Sequence, residues 1–599
     1  MRKIFSAGLF LITSVLLTKI SPGFSSESRD QNTLQYPAVV VSAHPLATEA
    51  GLSILKEGGN AIDAAVAVQM VLNVVEPQSS GIGGGCFILF HPSKGAIRRE
   101  DSSPNVIAID GREEAPRQIY PEIFLDDHGK EIPFYPERIT GGRSVGVPGC
   151  LKALHKAWEK YGSGRILWSR LFEPAVSLAE KGFPISKRLA EAIEGESERL
   201  SLFPASREIF FNKDGKPKKA GEILIQKDLG RTFKLIAEQG PAIFYEGEMA
   251  QDIVKAVKEA PKAPGFLSLE DMNEYEAPFR KPVSGTYRGF QIYSMPPPSS
   301  GGTTLIEALN MLELFPLQTL KPDSSQFIHL FSEAQKLAFA DRNRYLGDAD
   351  FVEIPVRDLV SKELASTRAL AIHPDKAIPG KAEATVLIKL GNTSTSHISI
   401  IDSDGNVLAM TTTIEHIFGS ALVVPGRGFV LNNELTDFDA LPYLDEKRNV
   451  PAPNRVEGGR KNRKTSLDAA DSMGGKRPLS SMSPTILFKD GKPYVCLGSP
   501  GGTQIIGVVL NLIVNLVDFK MPAEQAMAWP RVINRNGPVE LEKDFFKDEA
   551  LIHILKEMGH DVLMREPFGN AQLAVVEDTS TGRPVGASDP RGEGKAGFH

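Results

Sequence analysis

Cysteine is nearly absent from this 599-residue sequence: Cys86, Cys150 and Cys496 are the whole supply. Three thiols close at most one internal disulfide, so the fold does not rest on a disulfide framework. Cys86 and Cys496 stand in apolar, glycine-rich surroundings and read as small core residues. No Cys/His grouping has zinc spacing, which argues against a structural metal. Charge of one sign is not in excess either. Lys plus Arg number 68 and Asp plus Glu 74, a net charge of -6, too acidic for a surface that coats nucleic acid. Internal repeats are missing, and so is any bilayer-length apolar run beyond the N-terminal segment. Apolar residues as a class are plentiful at 41%, enough for a large core spread over several domains or one large interrupted fold.

The N-terminus differs from the rest. Arg2 and Lys3 precede an apolar run at 4–17, and small, turn-forming residues follow at 21–26. That order matches a secretory signal peptide, expected at 1–25. The alternative is an uncleaved anchor, but the run is short for a spanning helix and Lys19 interrupts its end. No cysteine follows at a position for lipid attachment. The expected destination is outside the cytoplasm: the periplasm in a two-membrane bacterium, otherwise the medium.

The remainder reads as mixed helix and strand. Val39–Ser42 is a short β-branched run, 47–55 and 61–75 have helical patterning, and Asn60 is placed to cap the second of these helices. A glycine run at 81–85 leads into a strand at 87–90. Residues 151–260 are rich in amphipathic helical patterns, and 327–344 is another strong helix. A hairpin follows, with arms at 397–401 and 407–413 around Asp404-Gly405-Asn406. Further strands are expected at 428–431, 483–488 and 494–497, then an apolar helix at 504–517. Blocks of strand and helix in this order imply stacked layers. Residues 439–476 lack periodicity and carry Arg455, Arg460, Lys461, Arg463 and Lys464. They read as a long exposed loop, either a lid or a solvated insertion.

Chemistry concentrates at the head of the hairpin, in Thr395-Ser396-His397. A threonine hydroxyl is a weak nucleophile that needs a base within reach. If the chain were cut before Thr395, the new α-amine, with an unperturbed pKa of roughly 8, would supply that base on the same residue. Alone the tripeptide is weak evidence, since Thr and Ser commonly cap or turn. Its surroundings are specific. They include Thr411-Thr412-Thr413, Phe418-Gly419, Leu431-Asn432-Asn433-Glu434, Asp437-Phe438, Arg477-Pro478-Leu479-Ser480-Ser481-Met482 and Gly498-Ser499-Pro500-Gly501-Gly502. Upstream stand Gly58-Gly59-Asn60-Ala61, Ser80-Gly81-Ile82-Gly83-Gly84-Gly85, Arg112-Glu113, Val145-Gly146-Val147-Pro148-Gly149 and Pro297-Pro298-Ser299-Ser300-Gly301-Gly302.

In this order the blocks closely resemble the γ-glutamyltranspeptidase family of N-terminal nucleophile hydrolases, over nearly the whole chain after the export segment. The resemblance implies an α+β fold, a four-layer αββα sandwich built jointly by a large subunit, 26–394, and a small subunit, 395–599. It implies that Thr395 is both processing site and nucleophile, that the Thr413 hydroxyl supports it, and that Gly501 and Gly502 supply oxyanion-hole N–H groups. Glycine suits that task because it permits close backbone approach and unusual torsions; the plain alternative is a turn before the next helix. The lack of a lysine at the required position argues against a phosphate-binding loop. The substrate α-carboxylate would meet Arg112, Ser480 and Ser481, and its α-ammonium would meet Glu434 and Asp437. Glu415 stands where some members carry an asparagine, and a carboxylate there also accepts from an ammonium. Two further departures are Cys86, which interrupts the glycine run, and the length of 439–476. Ser396 and His397 receive no catalytic role; His397 reads as a satisfied strand residue.

The implied reaction transfers the γ-glutamyl group of glutathione or a related amide to Thr395, then to water, an amino acid or a dipeptide, without metal or organic cofactor. Two alternatives stay open. One is an acylase of the same fold acting on a glutaryl β-lactam or poly-γ-glutamate. The other is an uncleaved binding protein. Convergence of Arg112, Glu434 and Asp437 on one pocket separates the first alternative, and the number of polypeptides on a denaturing gel separates the second.

Overall fold

The β-branched run after Thr395 forms one arm of the expected hairpin, Thr393–Ile401, and Val407–His416 forms the other. The turn is held by Asp402, whose carboxylate accepts the N–H groups of Asp404 and Asn406 at 3.0 and 2.9 Å, while Gly405 takes a φ of 82°. The computed structural model describes residues 37–93, 106–382, 393–467, 473–543, 547–578 and 583–599. The expected export segment, 1–25, lies outside these residues.

The hairpin is the centre of a seven-stranded antiparallel sheet. Its order is Lys595–Phe598, Val39–Ser42, Thr393–Ile401, Val407–His416, Gly85–His91, Ile107–Gly111 and Phe279–Arg280. A second antiparallel sheet has the order Arg583–Ser588, Gln572–Asp578, Lys492–Gly498, Thr485–Lys489, Phe290–Ser294 and Val283–Tyr287. Side chains alternate across a strand, and the core divides accordingly. Val40, Ile398, Ile400, Leu408 and Met410 pack with the helices Pro45–Lys56, Ala61–Val75 and Cys150–Tyr161. Val39, Val41, Ile401, Val407 and Ala409 instead join the second sheet and the helices Gly301–Leu312, Ser325–Tyr345 and Gln504–Val517. The result is the four-layer αββα sandwich, and residues from both sides of Thr395 contribute strands to both sheets.

Local signals account for the helices nearest the site. Asn60 and Asp63 form a reciprocal capping box at the start of Ala61–Val75. Every residue of that helix is buried within a layer, the polar Asp63, Gln69 and Asn73 included. All three cysteines are buried and free.

Two expectations need correction. The strand expected at 428–431 is a single bridge between Val423 and Val430. Ala421, Gly426 and Gly428 take φ values of 62°, 73° and 78°, which break the ladder, and the Leu431 carbonyl accepts Ser420 N–H instead. The described part of 439–476 is only partly a solvated loop, exposed at 446–451 and partly packed elsewhere. It forms two short strand pairs, and Arg463 and Lys476 are buried. Glu114 holds Arg463 at 2.6 Å, Arg477 at 2.8 Å and Arg460 at 3.4 Å, and Lys476 donates to the Pro453 carbonyl at 3.0 Å.

Candidate active site

Thr395 lies directly across the hairpin from Thr413. By the same alternation, both point toward the space between the sheets, where a cavity of about 550 Å³ opens. Thr413 is backed by the glycine run. A Cβ on Gly84 would sit 2.1 Å from the Thr413 carbonyl oxygen, and one on Gly85 would sit 2.3 Å from Glu113 Oε2, so only glycine lets these segments meet.

The Thr413 hydroxyl has its hydrogen bonds assigned by its neighbours. It accepts the Glu415 N–H at 2.9 Å and donates to the Ser394 carbonyl at 2.8 Å. A hydroxyl has one proton to give, so Thr395, 3.3 Å away, donates to Thr413. Just beyond Thr413 the ladder carries a bulge, and Glu415 adopts a φ of 75°, outside the usual range for such a residue. Bulges re-aim side chains, and here Glu415 faces the cavity while its carboxylate accepts from Asn433 and Thr436. His397 is buried, and its ring bonds Thr411 and Ser399 at 2.8 and 3.2 Å. Burial pushes its pKa down to about 3, so it is a neutral strand residue.

Arg112 sits at another part of the cavity wall, fully buried. Its guanidinium pairs with Glu434 and, at 2.6 Å, with Asp437, and Glu113 lies 4.0 Å away. It also donates to the Pro478 and Leu479 carbonyls, each at 3.1 Å. Burial pushes the Glu434 carboxyl up to about 8, with Arg112 acting against the shift and Asp437 adding to it. Burial raises Glu113 well above the usual carboxylate range too. The charges assigned from sequence to opposite ends of an amino-acid head group thus bond one another here.

Ser480 and Ser481 follow. The Ser480 carbonyl accepts Ser300 N–H at 2.8 Å and its own N–H donates to Pro298 at 2.9 Å, which explains the Pro297–Gly302 block of the sequence. Gly501 and Gly502 take φ values of 128° and 54°. Their carbonyls receive the N–H groups of Gln504 and Ile505, so the pair is also the turn that opens the helix Gln504–Val517. All ten residues singled out from sequence line this one cavity: Thr395, Thr413, Gly501, Gly502, Arg112, Glu415, Glu434, Asp437, Ser480 and Ser481.

A family model described as Gamma-glutamyltranspeptidase matches residues 47–598. The chain belongs to the γ-glutamyltranspeptidase family. It is 38% identical to the glutathione hydrolase proenzyme of Bacillus subtilis (strain 168), covering 100% of this chain and 99% of that protein. It is 39% identical to the glutathione hydrolase proenzyme of Escherichia coli (strain K12), over 92% of this chain and 90% of that one. Among solved structures, a cephalosporin acylase from Bacillus halodurans superposes with a TM-score of 0.76 at 26% identity, over 97% of this chain and 99% of the other.

Within this γ-glutamyltranspeptidase-family cavity, sequence reasoning missed Arg342 and left open whether the strap at 439–476 is a lid. Arg342 Nε donates to Ser300 Oγ at 2.9 Å and Nη2 to Ser481 Oγ at 3.0 Å, and burial pushes its pKa down to about 10. In sequence it is a basic residue in the last turn of a helix, where such residues ordinarily answer the helix dipole. The strap contributes Ala440, Leu441, Tyr443, Leu444, Ala452 and Asn454 to the cavity wall, which favours the lid over the insertion. Among the described residues no group of acidic, His or Cys side chains could hold a metal ion, and no helix is long and apolar enough to cross a membrane.

Proposed function

We propose that this chain is an exported precursor that cuts itself between Ser394 and Thr395. The product is a γ-glutamyltransferase and glutathione hydrolase with Thr395 as nucleophile. The observation that carries this reading is the hydroxyl chain Thr395–Thr413–Ser394 carbonyl on the wall of a cavity that also holds Arg112 and its carboxyls. Thr395 Oγ1 attacks the Ser394 carbonyl carbon while its proton passes to Thr413 and the Thr413 proton passes to the carbonyl oxygen. The C–N bond then breaks as a proton reaches the Thr395 nitrogen, leaving an ester. Water hydrolyses that ester to a Ser394 carboxylate and restores the Thr395 hydroxyl beside its already freed amine. Residues 26–394 and 395–599 stay together as large and small subunits, since both sheets draw strands from each.

In the mature enzyme the Thr395 amine takes the hydroxyl proton as Oγ1 attacks the γ-carbonyl of glutathione or another γ-glutamyl amide. The Gly501 and Gly502 N–H groups stabilise the oxyanion. The amine leaves protonated, and water, an amino acid or a dipeptide takes the γ-glutamyl group from the ester. Arg112, Ser480 and Ser481 hold the substrate carboxylate; Glu434, Asp437 and Glu415 hold its ammonium. The same carboxyls disfavour the acylase alternative, because a glutaryl group brings no cation to meet them.

N-terminal sequencing of the smaller fragment of the mature protein should begin at Thr395. Thr395→Ala should give a single uncut, inactive polypeptide, and normal cutting of that variant would sink the reading. A γ-glutamyl anilide should be hydrolysed at least about a hundredfold better than the glutaryl anilide, because a site with buried polar groups rejects a ligand that leaves them unpaired. Export by residues 1–25, to the periplasm where there are two membranes, is read from the fraction in which the activity appears.

A further inference from the structure

The two serines that flank Thr395 are both held by one short turn on the far side of the sheet. Ser394 Oγ donates to Ser79 Oγ at 2.9 Å, and Ser396 Oγ donates to Glu76 Oε2 at 2.9 Å. Glu76 closes the helix Ala61–Val75, with its N–H on the Leu72 carbonyl, and Ser79 N–H donates to the Glu76 carbonyl at 2.9 Å. All four side chains are buried. Neither Glu76 nor Ser79 lines the cavity.

We propose that Glu76 and Ser79 are positioning residues that set the aim of Thr395, Ser79 until the chain is cut and Glu76 both before and after. The reasoning rests on the reading of Thr395 as nucleophile. Side chains alternate across a strand, so tying 394 and 396 to the helix side fixes the roll of the strand about its own axis. That roll decides where Thr395 leaves the opposite face, and a misplacement of about 1 Å can cost about a hundredfold in rate. Once the Ser394–Thr395 bond is gone, the hold of Ser79 no longer reaches Thr395. The bond from Ser396 to Glu76 then anchors the side chain next to the new chain end. A buried carboxyl is an expensive way to hold one hydroxyl. Glu76 Oε1 meets no hydrogen-bond partner among the described residues, so packing alone gives no reason for a carboxyl here.

The test follows self-cleavage of freshly folded precursor on denaturing gels, then measures kcat and KM for a γ-glutamyl anilide on fully cut material. Ser79→Ala should slow cleavage about tenfold, with the loss confined to that step. Glu76→Ala should slow cleavage and also lower kcat about tenfold with KM unchanged. Glu76→Gln, which still offers an oxygen to Ser396, should restore both. Ser396→Ala removes the same bond from its other end and should repeat Glu76→Ala, which covers a Glu76→Ala protein that does not fold. Wild-type cleavage and kcat in both Glu76→Ala and Ser396→Ala would overturn the proposal, as would a Glu76→Ala loss that appears in KM alone. A wild-type chain that never cuts sinks the reading of Thr395 instead.

Discussion

Arg112 and Glu114 stand two residues apart and centre two buried charge clusters of opposite composition. Arg112 is one guanidinium among three carboxyls: Glu434, Asp437 and Glu113. Glu114 is one carboxylate among three guanidiniums: Arg460, Arg463 and Arg477. The excess is neutralised differently in each. Around Glu114 the surplus arginine charge is met by further acidic side chains, with Asp110 3.6 Å from Arg477. Around Arg112 the surplus acid is met by protons, since burial raises both Glu113 and Glu434. A cluster balanced by fixed charges is a brace. One balanced by protons on a cavity wall can exchange a proton for an incoming ammonium, as the proposed head-group site requires.

The comparison breaks most visibly by removing the two centres. Glu114→Ala leaves three arginines without their shared anion and should destabilise the protein by about 3–5 kcal/mol, read as a fall in denaturation midpoint. The strap at 439–476 should become protease-sensitive in the same variant. Retention of wild-type stability would show that the brace carries no load. Arg112→Ala should act on the other quantity. It should raise KM for a γ-glutamyl anilide about a hundredfold, with kcat changed far less, because the head-group carboxylate loses its planar partner. An unchanged KM would remove Arg112 from the binding pocket and leave two braces.

Much of this arrangement was legible in the sequence, and the illegible part has a common cause. The cap at Asn60, the turn at Asp404–Asn406 and the two arms of the hairpin are local patterns, and they formed as read. The ten cavity residues were legible through ordered motifs, though nothing in the motifs indicated that Arg112 would bond Glu434 and Asp437 to itself. The arginines of the strap looked solvated because charge-rich, aperiodic stretches usually are. Arg460 and Arg463 instead meet Glu114, more than 300 residues upstream, and no local pattern records a pairing at that distance. Arg342 was hidden in the same way, at the end of a regular helix whose packing alone brings it to Ser481.

The finest separation of the two clusters is through pH. Glu434 is pushed up to about 8, so below that pH its carboxyl is mostly protonated and gives an ammonium little to bind. Affinity for L-glutamate, measured as competitive inhibition, should therefore increase as pH rises toward 8 and level off above it. This readout does not require the Thr395 amine to be neutral, so it separates head-group binding from the chemistry of the nucleophile. Glu434→Gln should flatten the rise and leave affinity about tenfold below wild type at the plateau, about 1.4 kcal/mol. At acidic pH the two proteins should converge, because a protonated carboxyl and an amide are close in shape and charge. A slope that survives in Glu434→Gln would assign the titration to Glu113, whose carboxyl shares the guanidinium and is raised by the same burial.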